Sequence, residues 1–263
     1  IDWQRGDNIV TTNLEFPSVA YAWRNLRKNG VEVRFIPHKD WMVHESDLLD
    51  AVDSRTRVLA VSHASFYTGQ CLDLIQLGEG ARKKGALFAV DATHSSGALQ
   101  VAAEVTDLTV SSAYKWLLTT HGVAPCYLSE RAEAQTVSTS FGWRNLAVWP
   151  AQSAERHADA DEMPMPEKLE PGNPAMQVVM HLDHALGIIL DLGIATIAQS
   201  CREGFGRVDP SGIYGYFSSR ARRAFRQHVL CVGRRTWAGN RTAKTQRVLL
   251  GRIWARSRVN TPL

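Results

Sequence analysis

The sequence contains no run of about 18 consecutive apolar residues, the length a membrane-spanning helix needs. Its first residues, Ile1 to Asp7, lack a basic segment followed by an apolar run, so they do not read as a secretory signal. No Met stands first, so Ile1 is not read as the protein's own start. The four cysteines, Cys71, Cys126, Cys201 and Cys231, share neither a CxxC nor a zinc-ligand spacing, and no metal is expected. Reduced thiols in a cytoplasm are the expectation, with Cys71 and Cys126 as buried small residues. Acids are scarce late in the chain. Residues 201–263 hold 13 Arg and 1 Lys against 2 acids, a balance of +12. The chain has 30 basic and 26 acidic residues in all, so residues 1–200 carry 16 against 24, a balance of −8. Such a split marks parts with separate origins or separate partners.

What is present reads as a folded α/β chain. At 263 residues and 44% apolar content, a buried core is within reach. Strand and helix signals alternate over the first 130 residues. Residues 8–12, 31–36, 57–62, 87–90, 108–111 and 123–128 read as short strands. Helical stretches are expected from Pro17 to the basic turn before Gly30, over 46–52, over 72–84 before Gly85, and from Met176 to Leu192 before Gly193. Residues 154–170 are polar and acidic and read as an excursion. The strands are apolar throughout rather than alternating, and helices separate them. That pattern predicts a mainly parallel central sheet covered by helices on both faces. Ligands then bind beyond the C-terminal strand ends. The segments to watch are 12–16, 63–69, 91–94 and 112–115.

One chemical theme joins three of these segments. Asp91 places a carboxylate at the mouth of a buried strand. His94 follows three residues later, and Lys115 follows the next strand. A lysine amine can hold a cofactor aldehyde, and a carboxylate can keep a pyridine nitrogen protonated. Spacing alone leaves the plainer reading equally open: a helix-capping Asp91 and a solvated Lys115.

The wording of the motifs narrows the choice. Gly6 to Thr12 (GDNIVTT), Leu14 to Ser18 (LEFPS), Ser62 to Ser65 (SHAS), Val90 to His94 (VDATH), Ser112 to Leu117 (SAYKWL) and Glu170 to Pro174 (EPGNP) stand in the order and spacing of one family. Over roughly 185 residues the sequence resembles the class V aminotransferases, which include cysteine desulfurases, kynureninases and isopenicillin N epimerase-like enzymes. The resemblance implies a fold-type I enzyme that uses pyridoxal 5'-phosphate on an amino-acid substrate, commonly as a homodimer. It implies Lys115 as the Schiff-base lysine and Asp91 as the partner of the pyridine nitrogen. His94 matches a position near the cofactor's phenolic oxygen. Ser112 and Tyr114 match positions that hold its phosphate. Phe16 stands where desulfurases carry a ring-stacking histidine and kynureninase-like members carry Phe. Trp143 and Asn173 match positions that reach the cofactor or substrate, often from the partner subunit. Phe66 departs from the pattern, since many relatives place an Asn near it.

The resemblance sets the expected domains as a partial cofactor-binding large domain over 1–200 and an Arg-rich tail over 201–263. Relatives carry a smaller α/β domain where the tail begins. An out-of-frame or otherwise altered translation is the leading reading of the tail, a divergent domain the second, and a basic nucleic-acid-binding arm the last. The expected chemistry is transamination, lyase or epimerase chemistry through Lys115, with Phe16 and Tyr114 favouring a kynureninase- or epimerase-like branch over a desulfurase. With the family's N-terminal phosphate turn and small domain both missing, the chain as given is expected to be a poor catalyst or a non-catalytic remnant.

Overall fold

A computed structural model describes residues 1–137, 139–147 and 161–207. Residues 208–263, most of the Arg-rich tail, and residues 148–160, which include the first part of the acidic excursion, lie outside the described residues. Six strands form one sheet: β1 (Asn8–Thr12), β2 (Glu32–Ile36), β3 (Thr56–Ser62), β4 (Leu87–Asp91), β5 (Leu108–Val110) and β6 (Cys126–Leu128). Their order is β2-β1-β3-β4-β5-β6. All pairs are parallel except β5 with β6, which is antiparallel. The sheet is thus mainly parallel, as its apolar strands predict. β6 is shorter than the expected strand over 123–128. Pro125 has no N–H to donate to a ladder. The residues before β6 bond instead as irregular backbone, with Ser111 N donating to Pro125 O and Ala113 N to Val123 O, both at 3.1 Å.

Side chains leave each strand alternately to two cores. Val10, Leu59, Val61, Phe88 and Val90 enter one, with Leu48, Leu74, Leu77 and Ala81. The last four come from α2 (Glu45–Asp50) and α3 (Leu74–Lys83). Ile9, Val58, Ala60, Leu87 and Ala89 enter the other, beneath Trp23, Leu26 and Ala132. Trp23 lies on α1 (Pro17–Arg24) and Ala132 on α4 (Glu130–Glu133). Burial on both faces is why these strands show no polar alternation. α3 starts two residues later than its apolar pattern suggests. Asp73 caps it, accepting from Ile75 N and Gln76 N at 3.0 Å each, while Leu72 N bonds His63 O at 3.0 Å. An N-cap carboxylate satisfies N–H groups that have no partner within the helix.

Asp107, 2% exposed, anchors the start of β5. It takes Arg131 in a two-pronged pair at 3.0 and 2.5 Å and also accepts from Phe88 N and Ser129 Oγ. A third core joins Ala113 and Leu117 to Leu182 and Ile189 of α5 (Met176–Leu192). α5 therefore clamps the turn that carries Lys115. α6 (Ile194–Arg207) follows after an 80° bend at Gly193, whose φ is +78°. Among the described residues, no single helix is long and apolar enough to cross a membrane.

Candidate active site

The C-terminal ends of β1, β3, β4 and β5 bring the predicted segments together. Lys115 lies in the turn after β5, half-buried. Its Nζ is hydrogen-bonded to His94 Nε2. The Phe16 and Tyr114 rings each have their centroid 5.5 Å from that Nζ. Phe16 belongs to none of the three cores and is only half-buried. Phe66 meets it edge-on at 5.1 Å and lies 6.4 Å from the His94 ring. Phe66 thus adds an apolar wall beside Phe16.

Asp91 ends β4, and its Oδ1 accepts from Thr93 N at 2.8 Å. It caps a turn and not a helix, since no helix follows β4 before residue 103. Among the described residues its Oδ2 has no protein donor. Thr93 Oγ1 accepts from Ser112 N at 3.0 Å, so the turn after β4 is bonded to the turn after β5. Gly97 makes a further close approach possible. Its φ is +95°, and a Cβ there would stand 2.4 Å from Trp116 O. These links fix the spacing of Asp91, His94, Ser112 and Lys115. Tyr114 is 37% exposed and packs on His121, with ring centroids 4.1 Å apart.

Trp143 and Asn173 sit in a second constellation. Asn145 is fully buried; its Oδ1 accepts from Gly142 N and its Nδ2 donates to Lys168 O, both at 2.6 Å. Any side chain at Gly142 would strike Pro171 O, 2.1 Å from the Cβ position. The two segments therefore travel together. They present Trp143 at 47% exposure and leave Asn173 exposed. The side-chain hydrogen bonds and ring contacts described for Lys115, Asp91 and His94 go to one another and to Phe16, Phe66, Thr93 and Tyr114.

Charge follows the geometry. Burial first, and the neighbouring Lys115 second, push His94 below its ordinary value, against Asp91. A neutral imidazole can accept a hydrogen bond from the amine. Burial raises the Cys71 thiol to about 11 and also raises Cys126. Both side chains are half-buried rather than fully buried, correcting the expectation. Cys126 lies on the outer strand β6, and Cys71 sits in a loop bridged to Ala64.

Sequence patterns gave no role to two buried groups that lie within the watched segments. Glu15 bonds Ser62, and His63 keeps its Nδ1 without a partner. Their neighbours are distant in sequence, so only their positions at strand ends could have pointed to them. Burial lowers His63 from an ordinary value near 6.5 to about 4, opposed weakly by Asp73. As pH falls through 6.5 the unfolded chain takes up this proton, whereas the folded chain does not until about 4. Stability present above pH 6.5 is therefore lost on the way down, by about 3 kcal/mol from this group. Urea unfolding at pH 7 and pH 4.5 should show His63→Gln losing markedly less stability than the wild type. Equal losses would place the histidine in water.

Comparison with known proteins matches the chain to one family. The family model for aminotransferase class-V matches residues 1–204. A probable cysteine desulfurase from Methanothermobacter thermautotrophicus is 36% identical over 100 residues, 38% of this chain and 25% of its own. The apo cysteine desulfurase from Thermococcus onnurineus shares the fold at TM-score 0.70 and 24% identity, covering 78% of this chain and 50% of that one. A mutant of C-DES, solved with glycine covalently linked to its PLP cofactor, does so at TM-score 0.67 and 22% identity, covering 78% and 55%. The chain spans a quarter to about half the length of curated relatives it matches. Pyridoxal phosphate is the cofactor of these relatives. With a family model matched over most of its length and a sheet of the same architecture, the chain belongs to the class V aminotransferase family.

Proposed function

We propose that this chain binds pyridoxal phosphate at Lys115 and serves an enzyme acting at the α-carbon of an amino acid. The observation that carries the reading is the meeting of Lys115 Nζ with His94 and Phe16 at the strand ends, one turn from Asp91. The donor set fits the group: an amine, a carboxylate oxygen lacking a protein donor, an aromatic face and hydroxyls. When bound, the cofactor supplies a sink for negative charge at the substrate's α-carbon. Lys115 holds it and then moves the α-proton as a general base. Asp91 would pair with the pyridine nitrogen and keep it protonated. Phe16 would cover the ring, while Ser112 and Tyr114 would offer hydroxyls to the phosphate. His94 steadies the Lys115 amine. Trp143 and Asn173 extend the site in a homodimer.

A desulfurase reading needs a thiolate nucleophile. Burial raises both Cys71 and Cys126, which disfavours them for that role. The Phe16–Phe66 pair gives an apolar wall instead. Transamination, β-elimination, C–C cleavage and epimerisation all suit the same Lys115 proton transfer. Titrating protein 1–263 with pyridoxal phosphate tests the reading. A visible absorption band that the free cofactor lacks, stable to gel filtration, is expected. A spectrum equal to free cofactor plus protein would overturn it.

A further inference from the structure

Glu15 is a buried acid that the proposed chemistry leaves unused. It follows β1 and is 8% exposed. Both of its carboxylate oxygens bond one residue. Oε1 accepts from Ser62 N at 2.7 Å, and Oε2 from Ser62 Oγ at 2.5 Å. Ser62 ends β3 and pairs in register with Asp91 at the end of β4. Glu15 therefore ties the exit of β1 to the exit of β3, beside the exit of β4. A buried carboxyl is costly unless its hydrogen bonds are made, and here two of them go to Ser62, 47 positions away.

The next residue in the chain is Phe16. Glu15 fixes its backbone from one side and Pro17 from the other. Phe16 O then accepts from Val19 N and Ala20 N at the start of α1. Its ring is thereby held 5.5 Å from Lys115 Nζ. Burial first, and the nearness of Asp91 among lesser causes, raise Glu15 above the ordinary carboxyl range, against the Ser62 bonds.

We propose that Glu15 is a positioning residue: by clamping Ser62 it holds the Phe16 ring over Lys115. This rests on the reading above only where that ring covers the cofactor. Glutamine can keep the clamp, accepting from Ser62 N and donating to Ser62 Oγ, whereas alanine cannot.

Protein 1–263 with isotope-labelled lysine reports the ring directly, through the ring-current shift of the Lys115 ε-methylene without cofactor. Phe16→Ala should move that signal. Glu15→Ala should move it in the same direction, and Glu15→Gln should leave it near the wild-type position. Ser62→Ala, which removes only the hydroxyl link, should give a smaller shift and stands in if Glu15→Ala does not fold. A Lys115 signal unmoved by Glu15→Ala or Ser62→Ala would overturn the proposal. Pyridoxal phosphate titration adds the consequence. Phe16→Ala and Glu15→Ala should each weaken binding by roughly three- to ten-fold, and the double variant should be no worse than either. Additive losses would show that Glu15 acts independently of Phe16 and would sink the idea. A wild type that takes up no cofactor would overturn the functional reading alone, since the Lys115 signal still decides this one.

Discussion

Lys115→Ala is expected to abolish covalent capture of pyridoxal phosphate by this chain. Capture needs a primary amine that can reach the cofactor's aldehyde and is held ready for it. Lys115 is half-buried in a turn that α5 clamps through Ala113 and Leu117, and its Nζ is bonded to His94. The Phe16 and Tyr114 rings narrow the paths open to the side chain. Among the other lysines, Lys39 is paired with Asp47, and Lys84 donates to Leu49 O and Val52 O. Neither contact lies among the strand-end turns that carry Asp91 and His94. Borohydride reduction of the loaded protein, followed by peptide mapping, should place the whole label on the peptide containing Lys115. The variant should carry none, and amino-acid turnover in the intact protein should fall by about 10²- to 10⁴-fold, the usual worth of a positioned base. A label on any other lysine would sink the assignment.

Much of this arrangement is legible in sequence because it is local. Leu87-Phe88-Ala89-Val90 is apolar on both faces, and Asp91 marks where the strand leaves the core. The long apolar pattern before Gly193 matches α5 at both ends. What escapes the sequence is pairing across distance. Nothing near Glu15 announces Ser62 as its partner, and nothing near Phe66 places its ring against Phe16. The antiparallel turn into β6 is likewise hidden, since an apolar run has no direction until its neighbour is known. Trp143 shows the limit of motif matching. Its segment is bonded to the one carrying Pro171, and the match to a cofactor-reaching position says nothing about that.

Asp91→Asn should separate the two roles that Asp91 combines. The first is structural: Oδ1 accepts from Thr93 N at 2.8 Å and shapes the turn leading to His94. An amide keeps a carbonyl oxygen that can accept the same bond, so the turn and the melting temperature should stay close to wild type. The second role is electrostatic, and the amide cannot fill it. A neutral side chain gives no charge to hold a proton on the pyridine nitrogen, so negative charge at the substrate's α-carbon loses its stabilisation. Removing one preorganised electrostatic partner costs about 10²- to 10³-fold in rate in comparable sites. That loss should appear in the intact protein's turnover while cofactor capture by Lys115 persists. Asp91→Ala should lose both roles. Its turnover should fall as far, and its stability should drop by about 1–3 kcal/mol because Thr93 N is left without its acceptor. Thermal melts, cofactor absorbance and turnover for the two variants separate the contributions. Near wild-type turnover in Asp91→Asn, with a destabilised Asp91→Ala, would reduce Asp91 to the cap of a turn.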